Sequence, residues 1–227
     1  MDNYSFEAIR ENLRVIRENI GEALVKYRSS DSTDIMAVTK TVPAEVVNLV
    51  FELGLELLGE NRVQEYLSKA EFYDKKADVH FIGHLQTNKV KYIINSVSMI
   101  QSVDSLKLAQ EISRLAVSSS KVMDILCEVN IGGEDSKNGV APDELGGLLE
   151  QISSLEGVRI RGLMTIPPPS DSDISFGRMQ ELYSRFRDEY SMDTLSMGMT
   201  HDYAQAVKYG STIVRIGTGL FGARSYK

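Results

Sequence analysis

Apolar residues recur along this chain in two rhythms. Between Tyr4 and Tyr27, Ile9, Leu13, Ile16, Ile20 and Leu24 fall at spacings of three and four, which predicts an amphipathic helix with one apolar face. From there, short apolar runs alternate with longer helical patterns, the signature of βα units on a parallel sheet. Eight runs read as strands: Asp34 to Thr39, Glu56 to Gly59, Val79 to Ile82, Ser98 to Ser102, Val122 to Ile131, Val158 to Ile166, Thr194 to Met197 and Ser211 to Ile216.

Helical patterns fill the intervals. Pro43 suits the first turn of a helix carrying Val46, Val47, Val50 and Leu53. Val63, Tyr66, Leu67 and Ala70 mark the next, Val90, Ile93 and Ile94 a third, and Leu106, Leu108, Ile112 and Leu115 a fourth. Pro142, Asp143 and Glu144 open a helix with an acidic first turn, favoured at the positive end of the helix dipole. Pro167 to Asp173 is the longest expected loop and a candidate lid, ahead of a helix with Met179, Leu182, Tyr183 and Phe186; Tyr203 to Tyr209 forms a short helix. Eight βα units in 227 residues match a single α/β domain over 1–227: a (β/α)8 TIM barrel, typically about 250 residues long, preceded by one helix. A doubly wound open sheet is the alternative. It lacks its usual support, since Lys40-Thr41-Val42-Pro43 follows the first strand in place of a glycine-rich dinucleotide fingerprint.

Composition narrows the function. Lysine and arginine total 25 against 32 acidic residues, a net charge of −7 that opposes non-specific attraction to nucleic acid or anionic membrane. No stretch has the apolar length of a membrane span and the N-terminus does not read as a signal peptide, so a soluble, cytoplasmic protein is expected. The one cysteine, Cys127, lies in an apolar run and reads as core; with three scattered histidines it forms no zinc-like spacing, so no metal is expected.

In such barrels reactive groups gather at the carboxyl ends of the strands. Lys40, Asn61, His84, Asn130, Met164 and Ser196 all lie at or just beyond predicted strand ends. Lys40 follows the apolar run Ile35-Met36-Ala37-Val38; a desolvated lysine favours the neutral amine that condenses with aldehydes, although a strand-end lysine can equally snorkel to water. Ser196-Met197-Gly198-Met199 and Arg215-Ile216-Gly217-Thr218-Gly219 end the last two strands, where barrels often build phosphate sites from backbone N–H groups. Arg215 alternates with apolar neighbours and should point inward, where it needs an acceptor: a pyridine nitrogen, or a carboxylate such as Glu60 or Glu128.

Ordered motifs span nearly the whole chain. They are Ala37-Val38-Thr39-Lys40 with Pro43, Gly59-Glu60-Asn61-Arg62-Val63-Gln64-Glu65, Phe81-Ile82-Gly83-His84-Leu85-Gln86 with Asn88 and Lys89, and Val129-Asn130-Ile131 with Glu134, Lys137 and Gly139. Gly162-Leu163-Met164, Ser196-Met197-Gly198-Met199 and Gly210-Ser211-Thr212 through Arg215-Ile216-Gly217 to Phe221-Gly222 complete the set. Together they resemble the pyridoxal phosphate homeostasis protein family of alanine-racemase-like barrels.

The resemblance implies a Schiff base between pyridoxal 5'-phosphate and Lys40, with Asn61 and His84 beside the ring and Arg215 facing the ring nitrogen. It further implies that Ser196, Gly198, Gly217 and Thr218 hold the phosphate and that Met164 and Met197 line the pocket, while Asn130 and Lys137 belong to matching motifs without a firm role. Two positions depart from the family pattern: Thr200, where serine is frequent, and Leu220, where a smaller residue is usual. The implied function is a monomeric carrier that holds the cofactor and passes it to pyridoxal phosphate-dependent apo-enzymes, without catalysis of its own. An amino-acid racemase on the same cofactor is the alternative. It would need a second proton carrier opposite Lys40, and the dimer-forming second domain of full-length alanine racemases does not follow the last strand.

Overall fold

In the computed structural model, which describes residues 4–29, 31–134 and 137–222, every predicted apolar run becomes a strand. The strands are β1 (Asp34–Val38), β2 (Leu57–Glu60), β3 (Asp78–Phe81), β4 (Met99–Val103), β5 (Met123–Glu128), β6 (Val158–Met164), β7 (Thr194–Ser196) and β8 (Ile213–Ile216). All neighbours pair in parallel and β1 closes onto β8, so the sheet is a barrel in the order β1 to β8; this excludes the open-sheet alternative. Most ends move by only one or two residues. The largest difference is at β5: Asn130 N–H donates to Val140 O at 3.0 Å and Val140 N–H to Glu128 O at 2.8 Å, so a local loop takes the hydrogen bonds that a longer strand would have used.

The helices are α1 (Phe6–Tyr27), α2 (Ala44–Glu52), α3 (Val63–Lys69), α4 (Val90–Ile93), α5 (Leu106–Ser118), α6 (Leu145–Ser153), α7 (Ser172–Phe186), α8 (Tyr203–Lys208) and α9 (Thr218–Phe221). Residues 142–144 form a turn and α6 starts only at Leu145, so the acidic pair precedes the helix instead of filling its first turn. The expected loop from Pro167 to Asp173 is partly helical: Pro169–Asp171 make a 3-10 turn and α7 begins at Ser172. Ser172 Oγ donates to Asp202 Oδ2 at 3.1 Å and Asp173 accepts from Tyr209 Oη at 2.9 Å, so contacts with the α8 region order what local composition marks as loop.

Strand alternation sorts side chains into an outer and an inner set. Ile35 and Ala37, Ile125 and Cys127, Leu195, and Val214 and Ile216 join one apolar cluster with the inner faces of the helices. Cys127 is fully buried there, as expected, and burial pushes its thiol up to about 12. Inside the barrel lie two smaller clusters: Met36, Val38, Ile82 and Ile213, and separately Met99, Leu126 and Met164. Beneath α1, at the amino end of the strands, opens a cavity of about 750 Å³ whose walls include Arg17, Ile20, Asp34, His80, Ser98 and Arg161. Among the described residues no helix is long and apolar enough to cross a membrane.

Two glycines make opposite demands. A Cβ on Gly162 in β6 would sit 1.7 Å from Thr194 O, the backbone of the adjacent strand, whereas one on Gly21 in α1 would meet nothing within 4 Å. Gly162→Ala should therefore destabilise the fold by roughly 3 kcal/mol or more, since strands in a closed barrel cannot spread to relieve the overlap. Gly21→Ala should stabilise it by about 0.5–1 kcal/mol through helix propensity. Urea unfolding of both variants tests the pair, and a tolerated Gly162→Ala would contradict the β6–β7 register.

Candidate functional site

The loops at the carboxyl end of the barrel are tied to one another around its rim. Thr41 N–H donates to Glu65, linking the loop after β1 to α3. A Cβ on Gly83 would lie 2.1 Å from Asn61 O, so the ends of β2 and β3 touch. His84 Nδ1 lies 3.8 Å from Asp104 Oδ2, which brings in β4. Thr165 Oγ1 donates to Val129 O at 2.8 Å across β5 and β6, and Arg215 Nη2 donates to Thr165 O at 2.7 Å across β6 and β8.

Lys40 lies two residues beyond the end of β1, whose Met36 and Val38 face the barrel interior. It is partly exposed and makes no hydrogen bond or ion pair among the described residues. The backbone on both sides of it is held by Lys69 Nζ, which donates to Thr39 O at 2.9 Å and Val42 O at 3.4 Å. Lys69 in turn pairs with Glu65 at 2.9 Å and with the buried Glu60 at 3.1 Å, and Glu60 also accepts from Thr39 Oγ1 at 2.7 Å and from Tyr73 Oη. Glu60 is thus committed to α3 and is not the acceptor of Arg215. Asn61 Oδ1 is buried with no hydrogen-bond partner among the described residues, and His84 is about half exposed, its side chain keeping 52% of its accessible surface.

Arg215 does point inward, only 3% exposed. Its hydrogen-bond acceptors are neither of the expected carboxylates: Nη1 donates to Ser196 O and Ser196 Oγ, both at 2.8 Å, and Nη2 to Thr165 O. Burial lowers its pKa to about 10, with Glu128 opposing the shift, so it remains a cation at neutral pH. Ser196 Oγ, expected beside a phosphate, is fully buried inside the barrel between Arg215 and Gln101, to whose Oε1 it donates at 2.7 Å. Met164 lies in the barrel interior, whereas Met197 packs outward in the cluster that faces the helices.

The N–H groups of Gly198, Gly217 and Thr218 have no hydrogen-bond acceptor among the described residues. Gly198 has φ +92 and a Cβ there would stand 2.5 Å from Ala206 Cβ, so only glycine fits the turn. Thr200 Oγ1 accepts from Gly219 N–H at 3.0 Å, fastening α9 to the turn after β7, and Leu220 is fully buried. Asn130 shapes its own loop, donating to Glu134 O at 2.9 Å, and Lys137 pairs with Glu134 at 3.1 Å. Among the described residues no cluster of His, Cys, Asp and Glu could hold a metal ion.

Sequence reasoning did not single out Lys69, Asp104 or Gln101. The Glu65–Lys69 spacing of four on one helix face signals the first; nothing local signals Gln101, whose partners lie on strands distant in sequence.

Glu128 provides a titration test. Burial pushes its carboxyl up from 4.5 to about 7, with Asp104 adding to the rise and Arg215 opposing it. A raised carboxyl contributes stability present in full below about 4.5 and lost as the pH rises through about 7. Glu128→Gln should match the parent near pH 4.5 and exceed its stability by on the order of 1–3 kcal/mol at pH 8. Denaturant unfolding across this range checks it; an identical pH profile in parent and variant would refute the assignment.

Three comparisons place the chain among known proteins. A family model described as "Alanine racemase, N-terminal domain" matches residues 5–225. The pyridoxal phosphate homeostasis protein of Aquifex aeolicus is 44% identical over 224 residues, covering 95% of this chain and 98% of that one. The structure of PipY from Synechococcus elongatus without PLP superposes with a TM-score of 0.84 at 30% identity, over 94% of this chain and 100% of that one. The same protein with PLP bound gives a TM-score of 0.78 at 33% identity, over 89% of this chain and 100% of that one. The chain belongs to the pyridoxal phosphate homeostasis protein family.

Proposed function

We propose that this protein binds pyridoxal 5'-phosphate at the carboxyl-end mouth of the barrel and takes part in vitamin B6 homeostasis, holding the cofactor rather than using it for catalysis. The observation that carries the reading is Lys40, an amine without a partner among the described residues, on the same rim as the free N–H groups of Gly198, Gly217 and Thr218. An amine and an anion nest together suit a phosphorylated aldehyde.

When bound, the cofactor would supply an aldehyde, an electrophile of the kind a lysine amine such as that of Lys40 can hold. The remaining roles belong to the chain. The glycine N–H groups and the Thr218 hydroxyl hold the phosphate; the Ser196 side chain serves from below, by fixing Arg215, instead of as a phosphate ligand. Asn61 offers a buried acceptor to the ring, His84 flanks it, and Met164 forms the apolar floor. Arg215, buried below the mouth, would keep a cation beside the ring and so disfavour protonation of the ring nitrogen. Lys69 and Glu65 hold the backbone that carries Lys40.

A homeostatic role is supported by the names of the relatives, which describe homeostasis proteins and not enzymes. In this reading the protein is a single-domain monomer of the cytoplasm that releases the cofactor to apo-enzymes.

Purified protein and Lys40→Ala, loaded with pyridoxal phosphate and reduced with borohydride, should differ at one peptide. The parent should carry a reduced adduct on Lys40, and the variant should retain cofactor at least about tenfold less tightly, the loss expected when a covalent link is replaced by phosphate contacts alone. Labelling of several lysines equally in both proteins would sink the assignment. Sustained, Lys40-dependent formation of D-alanine would overturn the carrier reading in favour of a racemase.

A further inference from the structure

Four buried polar side chains form one directed line of hydrogen bonds through the barrel. Arg215 Nη1 donates to Ser196 Oγ at 2.8 Å, Ser196 Oγ donates to Gln101 Oε1 at 2.7 Å, and Gln101 Nε2 donates to His80 Nδ1 at 2.8 Å. Arg215 is 3% exposed, Ser196 and Gln101 0% and His80 6%, so all four are largely withdrawn from bulk solvent. The line runs from β8 and β7 to β4 and β3; β7 and β4 are not neighbours, so the Ser196–Gln101 bond spans the interior. It starts at the guanidinium of the candidate site and ends at the wall of the amino-end cavity.

With the Gln101 amide nitrogen toward His80, donor and acceptor rules orient every other link. A guanidinium only donates, so Ser196 Oγ accepts and its own proton is free for Gln101 Oε1. The Gln101 amide N–H then faces His80, and Nδ1 must be bare, with the imidazole proton on Nε2. Nε2 lies 3.8 Å from Asp78 Oδ2.

We propose that Gln101 and His80 are positioning residues for Arg215: neutral His80 fixes the Gln101 amide, the amide fixes the Ser196 hydroxyl, and the hydroxyl fixes the guanidinium. Protonation of His80 from the amino-end cavity reverses the amide and loosens Arg215, which then keeps only its bonds to the Ser196 and Thr165 carbonyls. A proton on Nδ1 would oppose the Gln101 N–H, so the amide must turn; its NH2 then faces Ser196 Oγ, whose proton loses its acceptor and whose hydroxyl is no longer fixed toward Arg215.

The charges facing His80 are Asp78 on its own strand, Asp124 on β5 and Arg161 on β6, with Asp34, Glu56 and Arg17 around the cavity. Burial outweighs the two nearest carboxylates and lowers the imidazole to about 4, Arg161 adding to the fall, so the line is intact at neutral pH. The effect on cofactor binding rests on the reading of Arg215 given above; the line itself does not.

The cofactor-free protein tests the line directly. Nitrogen-15 NMR of its histidine rings at pH 7 should show His80 with a bare Nδ1 and a protonated Nε2, and the Arg215 guanidinium should show slow rotation that quickens in step with His80 protonation as the pH falls. An Nδ1–H tautomer, or Arg215 signals indifferent to His80 protonation, would overturn the proposal whatever the cofactor does. Absorbance titration with pyridoxal phosphate should show His80→Leu binding about tenfold more weakly, and His80→Gln, which keeps an acceptor for the Gln101 amide, recovering to within about threefold of the parent. An equal loss in both variants, or a loss in neither, would refute positioning. A parent protein that binds no pyridoxal phosphate would defeat the cofactor reading and leave the NMR result to decide the line.

Discussion

A permanent cation inside the barrel is the constraint around which this structure is arranged. Arg215 is buried with no carboxylate in hydrogen-bond contact among the described residues, and its charge is spread over two carbonyl oxygens and one hydroxyl. Removing a cation from water is costly unless its N–H groups are matched, so Thr165 and Ser196 must present their oxygens to one point. That requirement ties the ends of β6 and β7 to β8, within a barrel interior whose apolar residues, among those described, fall into two separate clusters. The rim then inherits its order from strands whose ends are already fixed.

The rhythm of apolar positions made the barrel legible because each strand packs outward against helices and carries that pattern locally. The inward direction of Arg215 followed from its apolar neighbours. The same alternation argues against two other expectations: Gly59 faces inward, its position touching Met36 and Ile82, so Glu60 must face α3; Ser196 faces inward, so Met197 must face the helices. The partners of Arg215 were not legible, since two are backbone carbonyls, of Thr165 and Ser196, and the third is the hydroxyl of a serine that equally suits a phosphate turn. Gln101 and Lys69 gain their roles only when strands or helices far apart in sequence meet.

The two ends of the barrel balance each other electrostatically. Above, Glu128 is a carboxyl held protonated well beyond its usual range; below, His80 is an imidazole held neutral. Stability from His80 is present above about 6.5 and lost as the pH falls through about 4, whereas that from Glu128 is lost as the pH rises through about 7. The opposing slopes flatten the stability profile between those values, so neither group is visible from the parent's profile alone.

α1 fastens the beginning of the chain to its last elements. Asn12 donates to Leu220 O at 3.0 Å, Asn19 to Tyr203 Oη at 2.7 Å, and Arg28 to Val207 O and Ser211 O at 3.1 and 2.9 Å. During synthesis the first helix emerges long before its partners do, and its apolar stripe of Ile9, Leu13, Ile16 and Ile20 has no finished surface to cover. β1 waits in the same way with an open edge until β8 arrives. Nascent chains stalled before β8 therefore expose a sticky helix and an unpaired strand together, and the burden on chaperones falls on the interval between the first strand and the last.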